Sequence, residues 1–311
     1  MPSRILVIVN SRAGNVGPGL YDFISAIGLT GAETVVRFAS QDQSLEGLTT
    51  DAAQFDRIVA VGGDGTFSTV AYETRDLHVP ILAYPAGTAN LLPMNLGLPS
   101  DPASLAKLAL EGTAVPFDLG ELILPNPRGD ADHLGFAMIA GAGFDATIMQ
   151  AAQPLKSTLG AAAYLLAAVS NLAPTVSDFE LVLDGEHIHT SGIAVLLVNF
   201  GRIQFDLSLT QGGDPQDGKL EVVVLRSKSL AGLIPVVFAA MLERIIEGSE
   251  RDPSVDVYLA SEVEVSAYPP LAMQYDGDLL PTLTPCAARV LPAATTLIVG
   301  DSSPYREPVG S

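Results

Sequence analysis

Residues 57–66 read Arg-Ile-Val-Ala-Val-Gly-Gly-Asp-Gly-Thr, a short apolar run that ends in a glycine-rich turn. The run has the length of a buried strand, and the following Ser68 to Arg75 suits a helix. Glycines between a strand and a helix let backbone N–H groups approach and hold phosphate oxygens. Beside bound phosphates, the carboxylate of Asp64 is tolerable chiefly if it holds Mg²⁺. The stretch therefore predicts a phosphate-binding loop, and an ordinary tight turn capped by Asp64 or Thr66 is the alternative.

The same order of elements recurs on both sides of this stretch. Strand-like segments are Arg4 to Asn10, Glu33 to Phe38 and Pro80 to Tyr84, and helix-like segments are Leu20 to Ile27 and Gln43 to Ala53. Such alternation implies parallel strands joined by right-handed crossovers, so we predict an α/β N-terminal domain with an open parallel sheet. Ligands of such sheets bind beyond the carboxyl ends of the strands, where residues 10–15 and 62–66 fall.

The second half of the chain has a different pattern. Strand-like segments with turn signals between them are Leu119 to Leu124, Leu134 to Ile139, Phe179 to Leu183, Ile193 to Asn199, Leu220 to Leu225, Val255 to Ala267 and Ala293 to Val299. Two segments, Ser157 to Asn171 and Leu230 to Ile246, have helical spacing. We predict a β-rich, sandwich-like C-terminal domain at residues 122–291, with residues 1–121 and 292–311 forming the α/β domain.

Composition narrows the functional classes. The chain has 35 acidic and 16 basic residues, for a net charge of -19, so its field repels phosphate backbones and we exclude nucleic acid as a partner. Its single cysteine excludes an intramolecular disulfide framework. The first residues lack a signal-peptide pattern, and the longest apolar stretch is shorter than the ~18 to 20 residues of a membrane span. We expect a cytoplasmic protein.

A second glycine turn, Pro-Ala-Gly-Thr-Ala-Asn at residues 85–90, also follows a strand and is expected at the same sheet edge. Two such loops would make one cleft, although Pro-Ala-Gly is by itself common turn chemistry. Neither loop has the P-loop pattern or the dinucleotide Gly-x-Gly-x-x-Gly pattern, so both of those nucleotide folds are disfavoured.

Seven motifs in order carry a resemblance to a known family: residues 9–14 (Val-Asn-Ser-Arg-Ala-Gly), 62–66, 85–90 with 95–99 (Asn-Leu-Gly-Leu-Pro), 117–120 (Phe-Asp-Leu-Gly), 143–146 (Gly-Phe-Asp-Ala), 217–218 (Asp-Gly) and 276–278 (Asp-Gly-Asp). With these motifs the chain resembles the bacterial diacylglycerol kinase and sphingosine kinase-like lipid kinases, which are distantly related to NAD kinases and phosphofructokinases. The resemblance covers nearly the whole chain. It implies an ATP-dependent kinase that phosphorylates a hydroxyl of a lipid such as diacylglycerol or a sphingoid-like lipid.

The resemblance also implies roles for individual residues. The nucleotide would contact Asn10, Ser11, Arg12, Ala13, Gly14, Gly62, Gly63, Asp64, Gly65, Thr66 and Thr88. Asp278 would be the catalytic base, with Asp118 as a supporting carboxylate and Asp64 holding the catalytic Mg²⁺. A structural magnesium site would use Asp214, Asp217 and the backbone carbonyl of Lys219. Carboxylates suit these roles, because phosphoryl transfer needs charge neutralisation and a proton acceptor.

Partners follow from the same resemblance. The lipid substrate would be reached by transient contact with a membrane surface through local apolar residues, because the sequence has no polybasic segment. A homodimer is left open. Residues 276–278 read Asp-Gly-Asp where the family usually has Asp-Gly-Glu, which shortens the reach of the base. Because of this departure, a catalytically silent nucleotide- or lipid-binding protein remains an alternative. An NAD kinase-like enzyme, which uses a similar first loop, is another.

His187 and His189 alternate on one face of a predicted strand. They could pair on a metal ion, but no third ligand has a useful spacing, and an exposed strand face is the better interpretation.

Overall fold

The structure is a computed structural model of the 311-residue chain. It describes residues 3–14, 16–39, 45–87, 90–126, 128–143, 175–200, 213–226, 255–276, 278–301 and 303–305. The helices among them are α1 (Pro18–Gly28), α2 (Asp64–Glu73), α3 (Leu91–Asn95) and α4 (Pro102–Glu111). The strands are β1 (Arg4–Asn10), β2 (Glu33–Ala39), β3 (Arg57–Gly62), β4 (Ile81–Pro85), β5 (Thr113–Pro125), β6 (Ala131–Phe136), β7 (Ile139–Ala142), β8 (Ser177–Leu183), β9 (Glu186–Gly192), β10 (Ala194–Val198), β11 (Leu220–Leu225), β12 (Val255–Ala260), β13 (Glu262–Tyr268), β14 (Ala272–Tyr275), β15 (Asp278–Leu283) and β16 (Cys286–Val299).

The N-terminal strands form a parallel sheet in the order β2-β1-β3-β4, as the alternating pattern predicts. Side chains of β1 alternate between two apolar clusters, with Leu6 and Ile8 on one face of the sheet and Ile5, Val7 and Val9 on the other. This burial on both faces explains the continuous apolar runs in the sequence. Because the strands are parallel, the carboxyl ends of β1, β3 and β4 meet at one edge.

The C-terminal half is a sandwich of two sheets, which confirms the predicted β-rich architecture. Among the described residues, one sheet has the order β12-β11-β10-β7-β14-β15, and each neighbouring pair is antiparallel. It packs against β8, β13 and their neighbours in the other sheet through a shared apolar cluster that includes Phe179, Leu197, Val222, Val263 and Met273. Such alternation of inward and outward residues is typical of a sandwich core.

Two long strands connect the parallel sheet to the sandwich. β16 pairs with β13 near its start, and near its end Leu297 pairs in parallel with Ile81 of β4. Along its length it also pairs with β5, with a shift of register between Leu291 and Thr295. Since β5 and β16 run unbroken past residues 121 and 291, the domain boundaries at those points stay a prediction.

One predicted element is wrong. Residues 43–53 do not form a helix in their described part, which contains two short 3-10 turns, Glu46–Leu48 and Ala52–Gln54. The segment contains Gly47, Thr49 and Thr50, which are weak helix formers. Asp51 is held outside a helix because both of its carboxylate oxygens accept hydrogen bonds from Arg37, whose guanidinium also donates to the carbonyl of Leu48.

Two helices were not predicted. The first, α3, is a short helix, and α4 begins at Pro102 after Asp101, whose carboxylate accepts a 2.8 Å hydrogen bond from the N–H of Ser104. This is the usual capping chemistry of an Asp-Pro helix start. The predicted helices at 157–171 and 230–246 lie outside the described residues. None of the helices in the described part of the chain has the length and apolar character of a membrane span.

Candidate active site

The first loop follows β1 and is tied to the second by Asn10. The Nδ2 of Asn10 donates a 2.9 Å hydrogen bond to Oγ1 of Thr66, and its Oδ1 accepts one of 3.0 Å from the N–H of Arg12. The carbonyl of Asn10 accepts from the N–H of Ala13, which closes a tight turn. Ser11, Arg12 and Gly14 are exposed on that turn. The structure therefore brings Asn10, at the start of the first loop, into contact with Thr66 of the second loop.

The second loop leads directly into a helix. β3 ends at Gly62 and α2 begins at Asp64, so the first N–H groups of α2 point away from the helix at the sheet edge. Gly62 is required by packing, because a Cβ there would lie 2.3 Å from Oγ1 of Thr66. This strand-to-helix turn has the geometry that binds anions at a helix N-terminus.

The third loop packs closely against the second at Gly87. A Cβ on Gly87 would lie 2.5 Å from Cα of Gly63, so position 87 needs glycine, whereas a Cβ on Gly63 would lie 3.5 Å from Cα of Gly87, an ordinary contact distance. Asn90 closes this loop, because its Oδ1 accepts from the N–H of Gly87 at 2.8 Å and its Nδ2 donates to the carbonyl of Gly87 at 2.9 Å. Thr88, predicted to contact the nucleotide, lies outside the described residues.

Asp64 has a contact that the sequence did not predict. Its Oδ2 accepts a 3.0 Å hydrogen bond from the N–H of Leu91, and its Oδ1 accepts one of 2.9 Å from the N–H of Leu92. These amides open α3, so the carboxylate caps that helix. Each oxygen keeps a further lone pair, which leaves Asp64 compatible with the predicted Mg²⁺ role.

Asp278, the predicted base, lies against the second loop although it is more than two hundred residues away in sequence. Its Oδ2 is 3.2 Å from the position that a Cβ of Gly65 would occupy. Partial removal from water raises the pKa of the Asp278 carboxyl. A raised pKa suits a group that must take up a proton during the reaction.

Asp276 is a site residue that sequence reasoning missed. Its Oδ2 accepts a 2.9 Å hydrogen bond from the N–H of Ala137, and its Oδ1 accepts from the N–H groups of Met138 (3.0 Å) and Ile139 (2.9 Å). The hydroxyl of Ser68 makes a fourth hydrogen bond to Oδ2. Desolvation raises the pKa of Asp276, and these four donors oppose that effect. The sequence gives only an Asp-Gly turn signal at this position, and it does not indicate that four donors are hydrogen-bonded to the Asp276 carboxylate.

The residues predicted to form the structural magnesium site lie around Asp118. Among the described residues, no hydrogen bond joins them directly to the three loops. Oδ2 of Asp118 accepts from the N–H of Gly218 and Oδ1 from the N–H of Ala293, both at 2.7 Å. The carboxylate thereby holds residues 214–219 against the bulge of β16. Asp118 and Asp64 share no hydrogen-bond partner among the described residues, so their joint role in catalysis stays a prediction.

Residues 214–219 form an acidic turn. Asp214 accepts from the N–H of Gln216 at 3.1 Å, and Asp217 accepts from the N–H of Lys219 at 2.8 Å. Burial raises the pKa of Asp118 and of Asp217, and the nearby Asp214 raises both further. Across the described residues no set of three His, Cys, Asp or Glu side chains has metal-site geometry. Two carboxylates and a backbone carbonyl fit Mg²⁺ only with water as the remaining ligands, which is usual for this ion.

A buried amide connects this acidic turn with Asp276. The Nδ2 of Asn199, which is 1% exposed, donates to the carbonyls of Asp118 (3.0 Å) and Ala137 (2.8 Å). The N–H of Ala137 in turn donates to Asp276. The two groups of carboxylates are therefore held in one hydrogen-bonded framework.

The two histidines are placed as the exposed-face interpretation predicts. His189 is exposed on β9, and Nδ1 of His187 lies 3.5 Å from Oε1 of Glu180, with both side chains more than half exposed. Nothing in these contacts indicates a metal site.

Comparison with known proteins gives two family matches. Residues 4–122 match the diacylglycerol kinase catalytic domain, and residues 138–299 match the YegS C-terminal NAD kinase beta sandwich-like domain. Among curated proteins, the chain is 27% identical over 303 residues to "Probable lipid kinase YegS-like" of Klebsiella pneumoniae, covering 93% of each chain. It is 27% identical over 253 residues to the diacylglycerol kinase of Mycobacterium tuberculosis, covering 78% of this chain and 76% of the relative.

Two solved structures share the fold. A diacylglycerol kinase from Bacillus anthracis superposes with a TM-score of 0.71 at 19% identity, covering 96% of this chain and 98% of the other. Yeast NADH kinase in complex with NADH superposes with a TM-score of 0.57 at 13% identity, covering 96% of this chain and 84% of the other. At these identities the likeness concerns the fold alone.

Proposed function

Because this chain belongs to the diacylglycerol kinase-like lipid kinase family, we propose that it transfers the γ-phosphate of ATP to a hydroxyl of a lipid such as diacylglycerol or a sphingoid-like lipid. One observation carries the proposal: three loops of the parallel sheet gather at one edge, and the carboxylate of Asp278 lies against one of them. The loops proposed to bind the nucleotide and the proposed base therefore lie at the same edge of the sheet.

The first step of the proposed mechanism is binding of the triphosphate. The N-terminus of α2 offers backbone N–H groups, and the glycines before and within its first turn, Gly63 and Gly65, leave them free of side-chain obstruction. Arg12 is exposed on the first loop, where its charge offsets part of the net negative field of the chain. These groups fix the phosphates in position, and positioning is the main part of catalysis in phosphoryl transfer.

The second step is transfer. The lipid hydroxyl oxygen forms a bond to the γ-phosphorus, the bond from that phosphorus to the bridging oxygen of ADP breaks, and Asp278 takes the hydroxyl proton. Mg²⁺, when bound, neutralises charge on the phosphate oxygens, and Asp64 is the residue proposed to hold it there. Asp214, Asp217 and the carbonyl of Lys219 would hold a second, structural ion, and Asp118 orders the segment that carries them.

The family match favours a lipid acceptor, because residues 4–122 match the diacylglycerol kinase catalytic domain. Two exposed leucines follow Asp278 on β15, Leu279 (37% exposed) and Leu283 (53% exposed). Because side chains alternate along a strand, Leu279 points to the face opposite Asp278, so these leucines do not line the approach to the base. We also propose a cytoplasmic location, where ATP is available, with transient contact at a membrane surface.

Incubation of the purified protein with γ-labelled ATP, Mg²⁺ and a mixed lipid extract in detergent tests the proposal. Label that moves into the organic phase supports it, and the mobility of the labelled lipid identifies the acceptor. The variant Asp278→Asn should lose transfer by at least ~100-fold, whereas the matched control Asp178→Asn, at an exposed position of β8, should keep it.

The same experiment separates the rival functions. Label transferred to NAD and not to lipid would favour an NAD kinase-like enzyme. Binding of ATP with no transfer to any acceptor would favour a silent binding protein.

A further inference from the structure

Ser68 lies on the first turns of α2 and is completely buried. It is three residues after Gly65, so both residues are on the same face of the helix. Its hydroxyl is hydrogen-bonded to Oδ2 of Asp276 and accepts a 3.1 Å hydrogen bond from the N–H of Ala137. The side chain is therefore fully engaged with the sandwich, although the helix belongs to the parallel sheet.

The same face of α2 contacts the segment 276–278 at a second point. Asp276 meets Ser68, and Asp278, two residues later, meets Gly65. The carboxylate of Asp276 cannot move freely, because the N–H groups of residues 137–139 also hold it. The hydrogen bond from Ser68 thus fixes the start of α2 relative to the turn that carries Asp278.

We propose that Ser68 is a positioning residue, which sets the distance and direction of the Asp278 carboxylate from the Gly62–Thr66 loop through its hydrogen bond to Asp276. This inference rests on the proposed function, since it assigns Asp278 as the base. Ser68 does not touch the substrate in this role. It keeps the nucleotide loop and the base at a fixed distance from each other. The loop leads into α2, the base follows Asp276, and the hydrogen bond from Ser68 joins α2 to Asp276.

The position of a base matters steeply for rate. A misplacement of ~1 Å can cost ~100-fold. Asp278 has a shorter side chain than a glutamate would have, so it has little freedom to compensate for movement of its backbone. Loss of the Ser68 hydroxyl should therefore reduce kcat while leaving the binding of ATP nearly unchanged.

Three variants and one control test the inference. Ser68→Ala removes the hydroxyl, Ser68→Thr keeps it with an added methyl group, and Ser68→Cys replaces it with a larger thiol that is a weaker donor. The matched control is Thr74→Val, which removes another buried hydroxyl next to the same helix, one that donates a 2.7 Å hydrogen bond to the carbonyl of Val70. Each protein is measured for melting temperature, kcat and KM for ATP.

We expect Ser68→Ala to lower kcat by ~10- to 100-fold with KM for ATP within ~2-fold of the wild type. Ser68→Thr should recover most of kcat, Ser68→Cys should be intermediate, and Thr74→Val should lose stability but keep kcat. Unchanged kcat in folded Ser68→Ala would overturn the inference. So would an equal loss of activity in Ser68→Ala and Thr74→Val that follows only the folded fraction.

Two further outcomes are decisive. If Ser68→Ala does not fold, Ser68→Cys replaces it, and wild-type kcat in that variant overturns the inference whereas a reduced kcat at unchanged KM supports it. If the wild-type protein transfers no phosphate, the proposed function fails and the inference falls with it, an outcome distinct from an active enzyme that is insensitive to Ser68.

Discussion

The carboxylate of Asp278 lies against Gly65, with Oδ2 only 3.2 Å from the place where a Cβ atom of residue 65 would be. A Cβ at this distance would be tight, and the flexible end of Asp278 is the atom group that would have to move. A side chain at position 65 should therefore affect activity more than folding, because it would displace the proposed base and not a residue of the core.

The variant Gly65→Ala tests this expectation. We expect its stability to be unchanged or raised by up to ~1 kcal/mol, because alanine is favoured over glycine in a helix. Phosphate transfer should fall by ~10- to 100-fold as Asp278 is displaced. The control Gly28→Ala, at the end of α1 where no atom would crowd the new methyl group, should keep full activity. A fully active Gly65→Ala would show that the position of Asp278 is not critical.

Much of this arrangement could be predicted from local sequence. The parallel sheet follows from the alternation of apolar runs and helical segments, and the three loops follow from glycines at the ends of β1, β3 and β4. Their meeting at one edge needs only the rule that parallel strands end together. The predicted helix at residues 43–53 is wrong because the local sequence pattern does not include a tertiary contact, the ion pair of Arg37 with Asp51.

The contacts that hold the base could not be predicted in this way. Ser68 and Asp276 are 208 residues apart, and no local sequence pattern pairs the two. The phosphate-binding loop predicts that Asp64 holds a metal ion, whereas the contacts of Asp64 with α3 depend on a helix that the sequence pattern does not predict. Long-range hydrogen bonds of single side chains leave no periodic signal, so only the folded chain shows them.

A buried carboxylate near the far end of α2 should make stability depend on pH. Glu121, on β5, is hydrogen-bonded to the hydroxyl of Tyr72, to Nε of Arg289 at 2.6 Å and to His133. Burial by itself raises the pKa of Glu121, but the hydrogen bonds from these three residues outweigh it, and the net pKa is lowered. Burial and the Glu121 contact together raise the pKa of Tyr72 to about 12.

A lowered carboxyl pKa in the folded protein stabilises the fold above the unfolded pKa of about 4.3, and this contribution is lost as the pH falls through the folded pKa. Glu121→Gln should therefore lower the free energy of unfolding at pH 7 by about 1–3 kcal/mol. The difference from the wild type should shrink steadily below about pH 4. Denaturant unfolding of both proteins between pH 3 and pH 7 measures it, and a difference independent of pH would contradict the assignment.

Magnesium should stabilise the protein even without nucleotide if residues 214–219 hold an ion. Burial raises the pKa of Asp217, and the nearby Asp214 raises it further, because the two carboxylates repel each other in the absence of a cation. A ligand that binds only the folded state raises its stability by RT ln(1 + [L]/Kd), so added Mg²⁺ should raise the melting temperature of the wild type. In Asp217→Asn this rise should disappear, whereas Asp178→Asn should keep it. An equal response in all three proteins would place any Mg²⁺ site elsewhere.

Asp64 caps α3 and is also proposed to hold Mg²⁺, and a comparison of variants at Asp64 and Asn90 distinguishes these two roles. Both residues order the third loop, Asp64 by capping α3 and Asn90 by closing the main chain at Gly87. In Asp64→Asn the amide oxygen can still accept one N–H, but the NH₂ group faces the other donor, so we expect a loss of about 1–3 kcal/mol in stability. Asn90→Ala should disorder the same loop without touching a carboxylate.

Turnover then decides whether Asp64 acts on the phosphates directly. If it also holds Mg²⁺ at the triphosphate, Asp64→Asn should lose at least ~100-fold more kcat than Asn90→Ala, because charge neutralisation in the transition state is lost as well as order in the loop. If capping of α3 is its whole contribution, the two variants should have the same kcat. Steady-state kinetics at saturating ATP and Mg²⁺, with the folded fraction measured for each variant, distinguishes the two results.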